Sequence, residues 1–255
     1  MPPDVMSTLP SCRPVVMKDL RGSLSVPAEL AAKCAVVGSS DLLRLQPRGA
    51  EIDAHTLVWR FNNAPTKGWE AAVGSRTDVR VVNHLPIEKW VKLARNRSAL
   101  KHTADGGEYE ARLCAPNAVR FGCVVSRMHA PPRFQDTIAA YRRSYAPHQI
   151  SLMSAAMHQW GVGCNRELHG TSPSSGLFAV LLALATCKPP ISLYGFWPFC
   201  CRRSVAGQPI NYKYHQGNRT RWVCCSRGRE RMEVEFEFYQ KLARQNLVRL
   251  RQAGV

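Results

Sequence analysis

The sequence predicts an α/β protein whose helices cover both faces of a mainly parallel sheet. Short apolar runs of strand length alternate with segments of helical spacing, and neither an internal repeat nor a dividing linker interrupts them. The chain has 255 residues, 45% hydrophobic and 21% charged. This length suffices for one large core, and the composition excludes a disordered or fibrous protein. We therefore expect a single-domain α/β/α sandwich over residues 31–255, after a poorly ordered, proline-containing lead-in over residues 1–30.

The predicted strands are short apolar runs, several of them ending at glycine or polar turn residues. They are Cys34–Gly38, Thr56–Phe61, Asp78–Val82, Val119–Ser126, Ile150–Met153, Ile191–Gly195 and Leu247–Leu250. Helical spacing is found over 86–96, 133–145, a stretch reaching Trp160, 177–187 and 230–245. The helix that follows Ser174 is apolar nearly all round, so we expect it to be buried. Residues 200–228 are predicted to form a loop.

The formal net charge is +17, which favours an anionic partner such as nucleic acid, anionic lipid, a nucleotide or an acidic sugar. The basic residues are spread along the chain, and a surface that is basic only for solubility is equally compatible with them. No zinc-finger, RNA-binding-sheet or basic-zipper pattern is present, so nucleic-acid binding is the least favoured of these alternatives.

Ten cysteines and two Asn-x-Ser/Thr sequons, at Asn96 and Asn218, together indicate an oxidising, glycosylating compartment. The longest apolar run, Leu177–Ala185, is too short to span a membrane, and Met1–Asp4 does not begin a signal peptide. From these residues alone we expect neither an anchor nor an export signal.

Two adjacent cysteine pairs raise the alternative of a zinc site. Cys200-Cys201 and Cys224-Cys225 flank His215, but adjacent cysteines lack the two-residue spacing of metal knuckles. Neighbouring side chains of an extended segment also point to opposite faces. We therefore expect no metal.

Three segments end a predicted strand with glycine or asparagine. They are Gly38–Asp41, Asn62-Asn63 and Gly195–Pro198, and Ser174–Gly176 opens a helix. Ligands of parallel sheets bind outside the carboxyl ends of the strands, and a helix N-terminus favours an anion. These segments are candidates for an anion site, with ordinary turn chemistry as the alternative for each of them alone.

Four sequence elements, taken in order, resemble the motifs of eukaryotic sialyltransferases (glycosyltransferase family 29). The large sialyl motif is matched by Cys34–Gly38, Glu51–Asp53, Arg60–Thr66 and Val73-Gly74; the small motif by Pro173–Gly176, Cys187 and Leu193–Phe199; the third by Lys213–His215; and the very small motif by Arg231–Phe236. Together they cover roughly residues 33–251. The Tyr194–Phe199 run is similar to the α2,8 branch in particular.

The resemblance implies a GT-A variant, Rossmann-like fold without a metal or other cofactor. The donor would be CMP-sialic acid, and sialic acid would pass with inversion to a hydroxyl of a glycan on protein or lipid. The family is membrane-anchored and works in the Golgi lumen. The resemblance also implies a disulfide between Cys34 and Cys187 that ties the two donor-binding segments together.

The same resemblance assigns the donor site. The residues expected to bind CMP-sialic acid are Ser39, Asn62, Ser174, Ser175, Gly176, Phe196, Trp197 and His215. The Asn62 amide can both donate and accept, Trp197 offers a flat face to a ring, and His215 would assist departure of CMP at its phosphate. Ser39 replaces the usual asparagine, and Asp41 replaces a glycine and adds negative charge near the ligand.

The general base departs from the family pattern. A histidine usually stands five residues before the glutamate of the very small motif, and counting back from Glu235 reaches Glu230. A carboxylate has a reference pKa of about 4.3 against about 6.5 for imidazole, so it is a weaker base unless burial raises its pKa. Glu230 is therefore either a substitute base or the mark of a relative that binds nucleotide or glycan without transfer.

Overall fold

The computed structural model describes residues 28–83, 87, 120–125, 136, 139–140, 143, 150–152, 174–197, 204–205, 207–215 and 229–251. The lead-in expected over residues 1–30 lies outside this part of the chain, except for a 3₁₀ turn at Ala28–Ala32. The helices predicted over 86–96 and up to Trp160 also lie outside it, apart from Ile87. Residues 136, 139, 140 and 143 are helical, as the prediction over 133–145 expects.

Each predicted strand is present within the described residues. The strands are β1 Cys34–Val37, β2 Leu57–Phe61, β3 Val79–Val82, β4 Gly122–Val125, β5 Ile150–Leu152, β6 Ile191–Tyr194, β7 Ser204–Val205, β8 Gln208–Pro209 and β9 Val248–Leu250. Seven of them form one sheet in the order β5-β4-β3-β2-β1-β6-β9, with every neighbouring pair parallel.

Five helices have bounds within the described residues, three of them short and two longer. They are α1 Leu42–Leu45, α2 Gly49–Asp53, α3 Glu70–Val73, α4 Ser175–Thr186 and α5 Arg229–Arg244. The two longer helices lie where helical spacing predicts them. The short ones have one turn each, too few residues to show a period, so the sequence did not reveal them.

The sheet is covered on both faces, which gives the expected α/β/α sandwich. On one face, Val36 and Trp59 pack against α4 and the apolar side of α5. On the other face, Ala35 and Val58 pack against residues of α1, α2 and α3. Residues 176–185 of α4 are all buried, as an all-round apolar helix requires. Among the described helices, none has the length and apolar character needed to cross a membrane.

The strand order reverses direction between β1 and β6. From β1 the chain builds the sheet toward β5, then returns so that β6 pairs with the other side of β1. Loops that follow two such strands leave in opposite directions and open a crevice at the carboxyl edge. This reversal predicts the position of the ligand site from topology alone.

One segment predicted as loop contains a small hairpin. β7 and β8 pair antiparallel, with Val205 opposite Gln208. Gly207, directly before β8, has φ +75°, a conformation that glycine adopts without the steric cost of a side chain. The loop prediction over 200–228 was therefore wrong at 204–205 and 208–209.

A disulfide joins the start of β1 to the end of α4. Cys34 and Cys187 are bonded, with their Cα atoms 6.2 Å apart, which confirms the pairing that the resemblance implied. Both cysteines lie at the amino edge of the sheet, whereas Ser174 begins α4 at the carboxyl edge, about 18 Å away for a helix of 12 residues. The bond thus fixes the far end of α4, which corrects the expectation that it ties the ligand-binding segments side by side. Cys123 in β4 is also disulfide-bonded; the other cysteines lie outside the described residues.

Removing this disulfide should lower the stability of the fold. The expected ligand site lies at the opposite edge of the sheet and should stay covered. We expect Cys34→Ala/Cys187→Ala to lower the free energy of unfolding by roughly 2–5 kcal/mol, because the bond restricts the unfolded chain over a long loop. Urea denaturation followed by circular dichroism measures the change. An unchanged unfolding midpoint would contradict the stabilising role given to the bond.

Asp53, at the end of α2, closes the loop that follows α3. Its carboxylate accepts hydrogen bonds from the backbone N–H of Ser75 at 2.8 Å, from that of Arg76 at 3.1 Å and from the Ser75 hydroxyl at 2.9 Å. Burial alone would raise the pKa of Asp53, but these hydrogen bonds outweigh it and the pKa lies below its ordinary value. The ionised form therefore stabilises the fold.

This arrangement predicts a pH dependence for Asp53→Asn. Since the folded-state pKa lies below the unfolded value of about 3.9, the contribution is complete above that pH and is lost as the pH falls through the folded-state pKa. We expect the variant to be less stable than the parent by roughly 1 kcal/mol near neutral pH, with the difference shrinking below about pH 4. Urea titrations from pH 7 to pH 3 test this, and a difference that grows on acidification would rule it out.

Candidate active site

The loops after β1 and β6 leave the sheet in close contact. The N–H of Gly38 donates to the Tyr194 carbonyl at 2.7 Å, and that of Ser40 donates to the Gly195 carbonyl at 3.4 Å. A Cβ on Gly38 would overlap the Gly195 carbonyl, and Gly195 has φ +66° and a Cβ there would overlap the Leu43 side chain. Glycine is therefore needed at both positions, and the two loops begin side by side at the carboxyl edge, where the topology predicts a crevice.

Asn62 follows β2 at this edge in a left-handed conformation, with φ +50°. Residues with a side chain rarely adopt it, although asparagine tolerates it best. The N–H of Asn62 donates to the Val81 carbonyl at 2.8 Å, its carbonyl accepts from Arg80 Nη1 at 2.7 Å, and its Oδ1 accepts from the Asn83 N–H at 3.1 Å. The first two bonds fix the backbone of Asn62 and the third fixes its side chain, whose Nδ2 makes no hydrogen bond to the described residues.

Two buried arginines lie side by side beneath this edge. Arg60 of β2 and Arg80 of β3 are register partners on the face that packs against α1–α3. Arg80 holds the loop after β2 through the Asn62 carbonyl, and Arg60 Nη2 donates to the Val73 carbonyl at 2.7 Å. Arg80 therefore places a cationic group below Asn62, whereas Arg60 holds the segment that precedes β3.

The N-terminus of α4 is held by its own first turn and by a residue of α5. Ser174 Oγ accepts from the Leu177 N–H at 3.0 Å, which is an N-cap. The carboxylate of Glu235 in α5, only 2% exposed, accepts from the Ser174 N–H at 2.9 Å and from its hydroxyl at 2.5 Å. The backbone N–H groups of Ser175 and Gly176 make no hydrogen bond in the part of the chain that the structure describes. The first turn therefore offers two donors to an incoming acceptor.

Asn83 connects the two halves of the site. It donates from its N–H to Asn62 Oδ1 and from its side-chain amide to Ser175 Oγ at 3.4 Å. Positions 62 and 175 are thus brought together through a residue at the end of β3. Asn83 was not among the residues predicted from the sequence, although a polar residue directly after an apolar strand is the same signal that marked Asn62.

Two of the predicted donor-binding aromatic residues are largely covered. Phe196 is 7% exposed, and its ring lies 5.1 Å from that of Tyr239. Trp197 is 5% exposed and packs against Leu42 and Ile210. Both support the site from below in this structure, and a contact between either ring and a donor stays a prediction.

The segment that carries His215 is fastened to the loop after β1. The N–H of Tyr214 donates to the Ser39 carbonyl at 3.0 Å, and its hydroxyl donates to the Pro65 carbonyl. The His215 ring packs edge-on against Tyr214, with centroids 5.0 Å apart, and both of its ring nitrogens are shielded from solvent. His215 and Ser39 are therefore neighbours at the carboxyl edge.

The remaining sequence-based assignments are only partly placed. Glu230 belongs to the first turn of α5, five residues before Glu235, but its side chain lies outside the described residues, so its role as base stays a prediction. The cysteine pairs weighed as zinc ligands also lie outside them. Among the described residues, no group of three or more metal-ligating side chains comes together.

The sequence model of glycosyltransferase family 29 (sialyltransferase) matches residues 4–247. The chain belongs to this family. Over 213 residues it is 30% identical to a human alpha-N-acetyl-neuraminyl-2,3-beta-galactosyl-1,3-N-acetyl-galactosaminide alpha-2,6-sialyltransferase, covering 81% of this chain and 64% of that protein. Over 164 residues it is 30% identical to a pig CMP-N-acetylneuraminate-beta-galactosamide-alpha-2,3-sialyltransferase 1, covering 64% of this chain and 43% of that protein. The matched region thus spans 43% to 64% of the length of these two relatives.

Solved structures agree on the fold. A mammalian sialyltransferase crystal structure superposes with a TM-score of 0.56 at 21% identity, covering 95% of this chain and 81% of that one. A mammalian sialyltransferase in complex with Gal-beta-1-3GalNAc-ortho-nitrophenol gives a TM-score of 0.53 at 20% identity, covering 100% and 87%. The two relatives named above form α2,6 and α2,3 linkages by name. Kinship with the α2,8 branch rests on Tyr194–Phe199 and stays a prediction.

The contact between Glu235 and Ser174 should be required for both stability and the shape of the site. We expect Glu235→Gln to lower the free energy of unfolding by roughly 1–3 kcal/mol, because an amide replaces a buried carboxylate that accepts two hydrogen bonds. Glu237→Gln, on the exposed side of the same helix, is the matched control and should change little. Equal melting temperatures for the two variants would argue against this role of Glu235.

Proposed function

We propose that this chain transfers sialic acid from CMP-sialic acid to a hydroxyl of a glycan on protein or lipid, with inversion and without a metal ion. The observation that supports this most directly is the hydrogen-bonded series Asn62–Asn83–Ser175. It sets the Asn62 amide beside the N-terminus of α4, at the crevice where β1 and β6 diverge. Family membership makes a CMP-linked sugar the natural anion for that crevice.

The donor is held by its nucleotide and phosphate in this proposal. The N–H groups of Ser175 and Gly176 and the positive end of α4 face the negative charge of CMP. The Nδ2 of Asn62 donates to an acceptor atom of the nucleotide, and Ser39 borders the same crevice. Arg80, buried below Asn62, adds cationic character on the side away from solvent.

The transfer step exchanges one C–O bond for another. The acceptor hydroxyl attacks C2 of sialic acid on the face opposite CMP, and Glu230 takes the hydroxyl proton. As the new C2–O bond forms, the C2–O bond to phosphate breaks, and its electron pair leaves with CMP. His215 and the start of α4 stabilise the charge that develops on the departing phosphate, and the displacement inverts C2.

A second candidate function is donor or glycan binding without transfer. It is favoured by Glu230 standing where the family pattern has a histidine, because a carboxylate with an ordinary pKa is a weak base at neutral pH. Transfer assays with labelled CMP-sialic acid on asialo and sialylated acceptors separate the two, with Glu230→Gln and Glu230→His compared with the parent. Loss of transfer in Glu230→Gln supports Glu230 as the general base. CMP binding without transfer in the parent supports the second function.

We also propose which glycosidic linkage is formed and in which cellular compartment. The α2,8 prediction from Tyr194–Phe199 requires transfer to a sialic acid of the acceptor, whereas α2,3 or α2,6 transfer goes to another sugar of the acceptor, so linkage analysis of the product decides among them. We place the reaction in the Golgi lumen. The Cys34–Cys187 disulfide and the two sequons both suit an oxidising, glycosylating compartment.

The role of the Asn62 amide can be isolated by a glycine. Asn62→Gly removes the amide but adopts the left-handed backbone at no cost, so we expect CMP to bind about tenfold more weakly, which corresponds to one lost hydrogen bond to a ligand. Asn246 shares the left-handed conformation, with φ +54°, but lies after α5 on the surface. Asn246→Gly is therefore the control.

The measurement is the CMP-dependent rise in melting temperature, which follows binding to the native state. The CMP concentration that gives half of this rise should be tenfold higher for Asn62→Gly than for the parent. It should be unchanged for Asn246→Gly. Unaltered CMP binding in Asn62→Gly would remove Asn62 from the donor site.

A further inference from the structure

Asp41, in the loop after β1, carries a buried charge at the edge of the candidate site. Its side chain is 1% exposed and contacts Arg44, with Nε to Oδ1 at 2.7 Å and Nη2 to Oδ2 at 3.0 Å. A buried carboxylate is costly unless it is paired and hydrogen-bonded. The hydrogen bond to Asp41 in turn raises the pKa of Arg44. The charge of Asp41 is thus paired with that of Arg44, and its effect on donor binding stays a prediction.

The same carboxylate reaches across to the segment that carries His215. Asp41 Oδ2 accepts a hydrogen bond from the backbone N–H of Asn211 at 3.0 Å. Three residues later, Tyr214 is attached to the Ser39 and Pro65 carbonyls, and its ring packs edge-on against Trp69 at 5.2 Å. Residues 211–214 are therefore held at both ends, and Asp41 supplies the first attachment.

We propose that Asp41 is a positioning residue that holds residues 211–215 against the loop after β1 and thereby sets the place of His215. The inference rests on the proposed function, in which His215 meets the donor phosphate. Arg44 contributes differently, because it neutralises Asp41 and so allows the carboxylate to stay buried near an anion. Loss of the Asp41 charge loosens the contact to Asn211 and lets the His215 ring move.

Asp78 provides a matched control elsewhere in the fold. Its buried carboxylate also accepts a backbone hydrogen bond, from the Val58 N–H at 2.7 Å, and also pairs with an arginine, Arg76 at 3.0 Å. It precedes β3 and so lies at the amino edge of the sheet, away from the candidate site. Asp41→Asn and Asp78→Asn therefore remove similar buried charges, and only the first should affect His215.

Two readouts test the inference in purified protein with its disulfides intact. The first is the NMR spectrum of ¹³C-labelled histidine rings, with His215 assigned from His215→Ala. Asp41→Asn should shift the His215 resonances and Asp78→Asn should leave them in place. Arg44→Gln is a second variant, for use if Asp41→Asn does not fold, and should shift them in the same direction. Unshifted His215 resonances in the folded variant would overturn the inference.

The second readout is a kinetic cycle. We expect Asp41→Asn to lower kcat/KM for CMP-sialic acid about tenfold with the acceptor KM unchanged, and Asp78→Asn to lower only stability. In a His215→Ala background, Asp41→Asn should lower kcat/KM for CMP-sialic acid less than twofold, because its effect passes through His215. A full tenfold loss in that background would show that Asp41 acts otherwise. A parent protein that neither binds CMP nor transfers would refute the proposed function, and the ring resonances would then decide the role of Asp41 alone.

Discussion

The parallel pairing of β1 with β6 is the constraint on which the site depends. These strands come from distant parts of the chain, and their ends meet at Gly38 and Gly195, where no side chain fits. Because the chain builds outward from β1 in one direction and returns through β6 in the other, the loops must part at this point. Asn62, which follows β2, and Ser174, which begins α4, lie at the same carboxyl edge because the strands are parallel.

Buried polar groups then fix the geometry around the crevice. Glu235 holds the start of α4, Arg80 holds the loop that contains Asn62, and Asp41 holds the segment before His215. Burying each of these charged side chains costs free energy, which hydrogen bonds in the fold offset. The fold therefore holds each side chain in one defined position. The groups expected to hold the nucleotide and its phosphate at the start of α4 and at Asn62 are, by contrast, amide, hydroxyl and backbone N–H groups. The distribution separates residues that shape the site from residues that use it.

Much of the fold could be predicted from the sequence, because buried parallel strands are apolar runs and α4 is apolar all round. The one-turn helices α1, α2 and α3 could not, since four or five residues carry no period. The Cys34–Cys187 pairing followed from the resemblance, but its place at the amino edge follows only from the direction in which α4 runs. At the site, motifs marked Asn62 and Ser174 but not Asn83 between them. A motif identifies single residues. A hydrogen bond across the sheet depends on the register of neighbouring strands, which a single sequence does not reveal.

The proposed function depends above all on CMP binding between Asn62 and the start of α4. Backbone and side-chain amide NMR spectra recorded during a CMP titration test this binding mode, because each donor reports on its own environment. We expect the largest shifts at the amides of Ser175 and Gly176 and at the side-chain amide of Asn62. Saturable binding that leaves these three signals in place and moves others would contradict it.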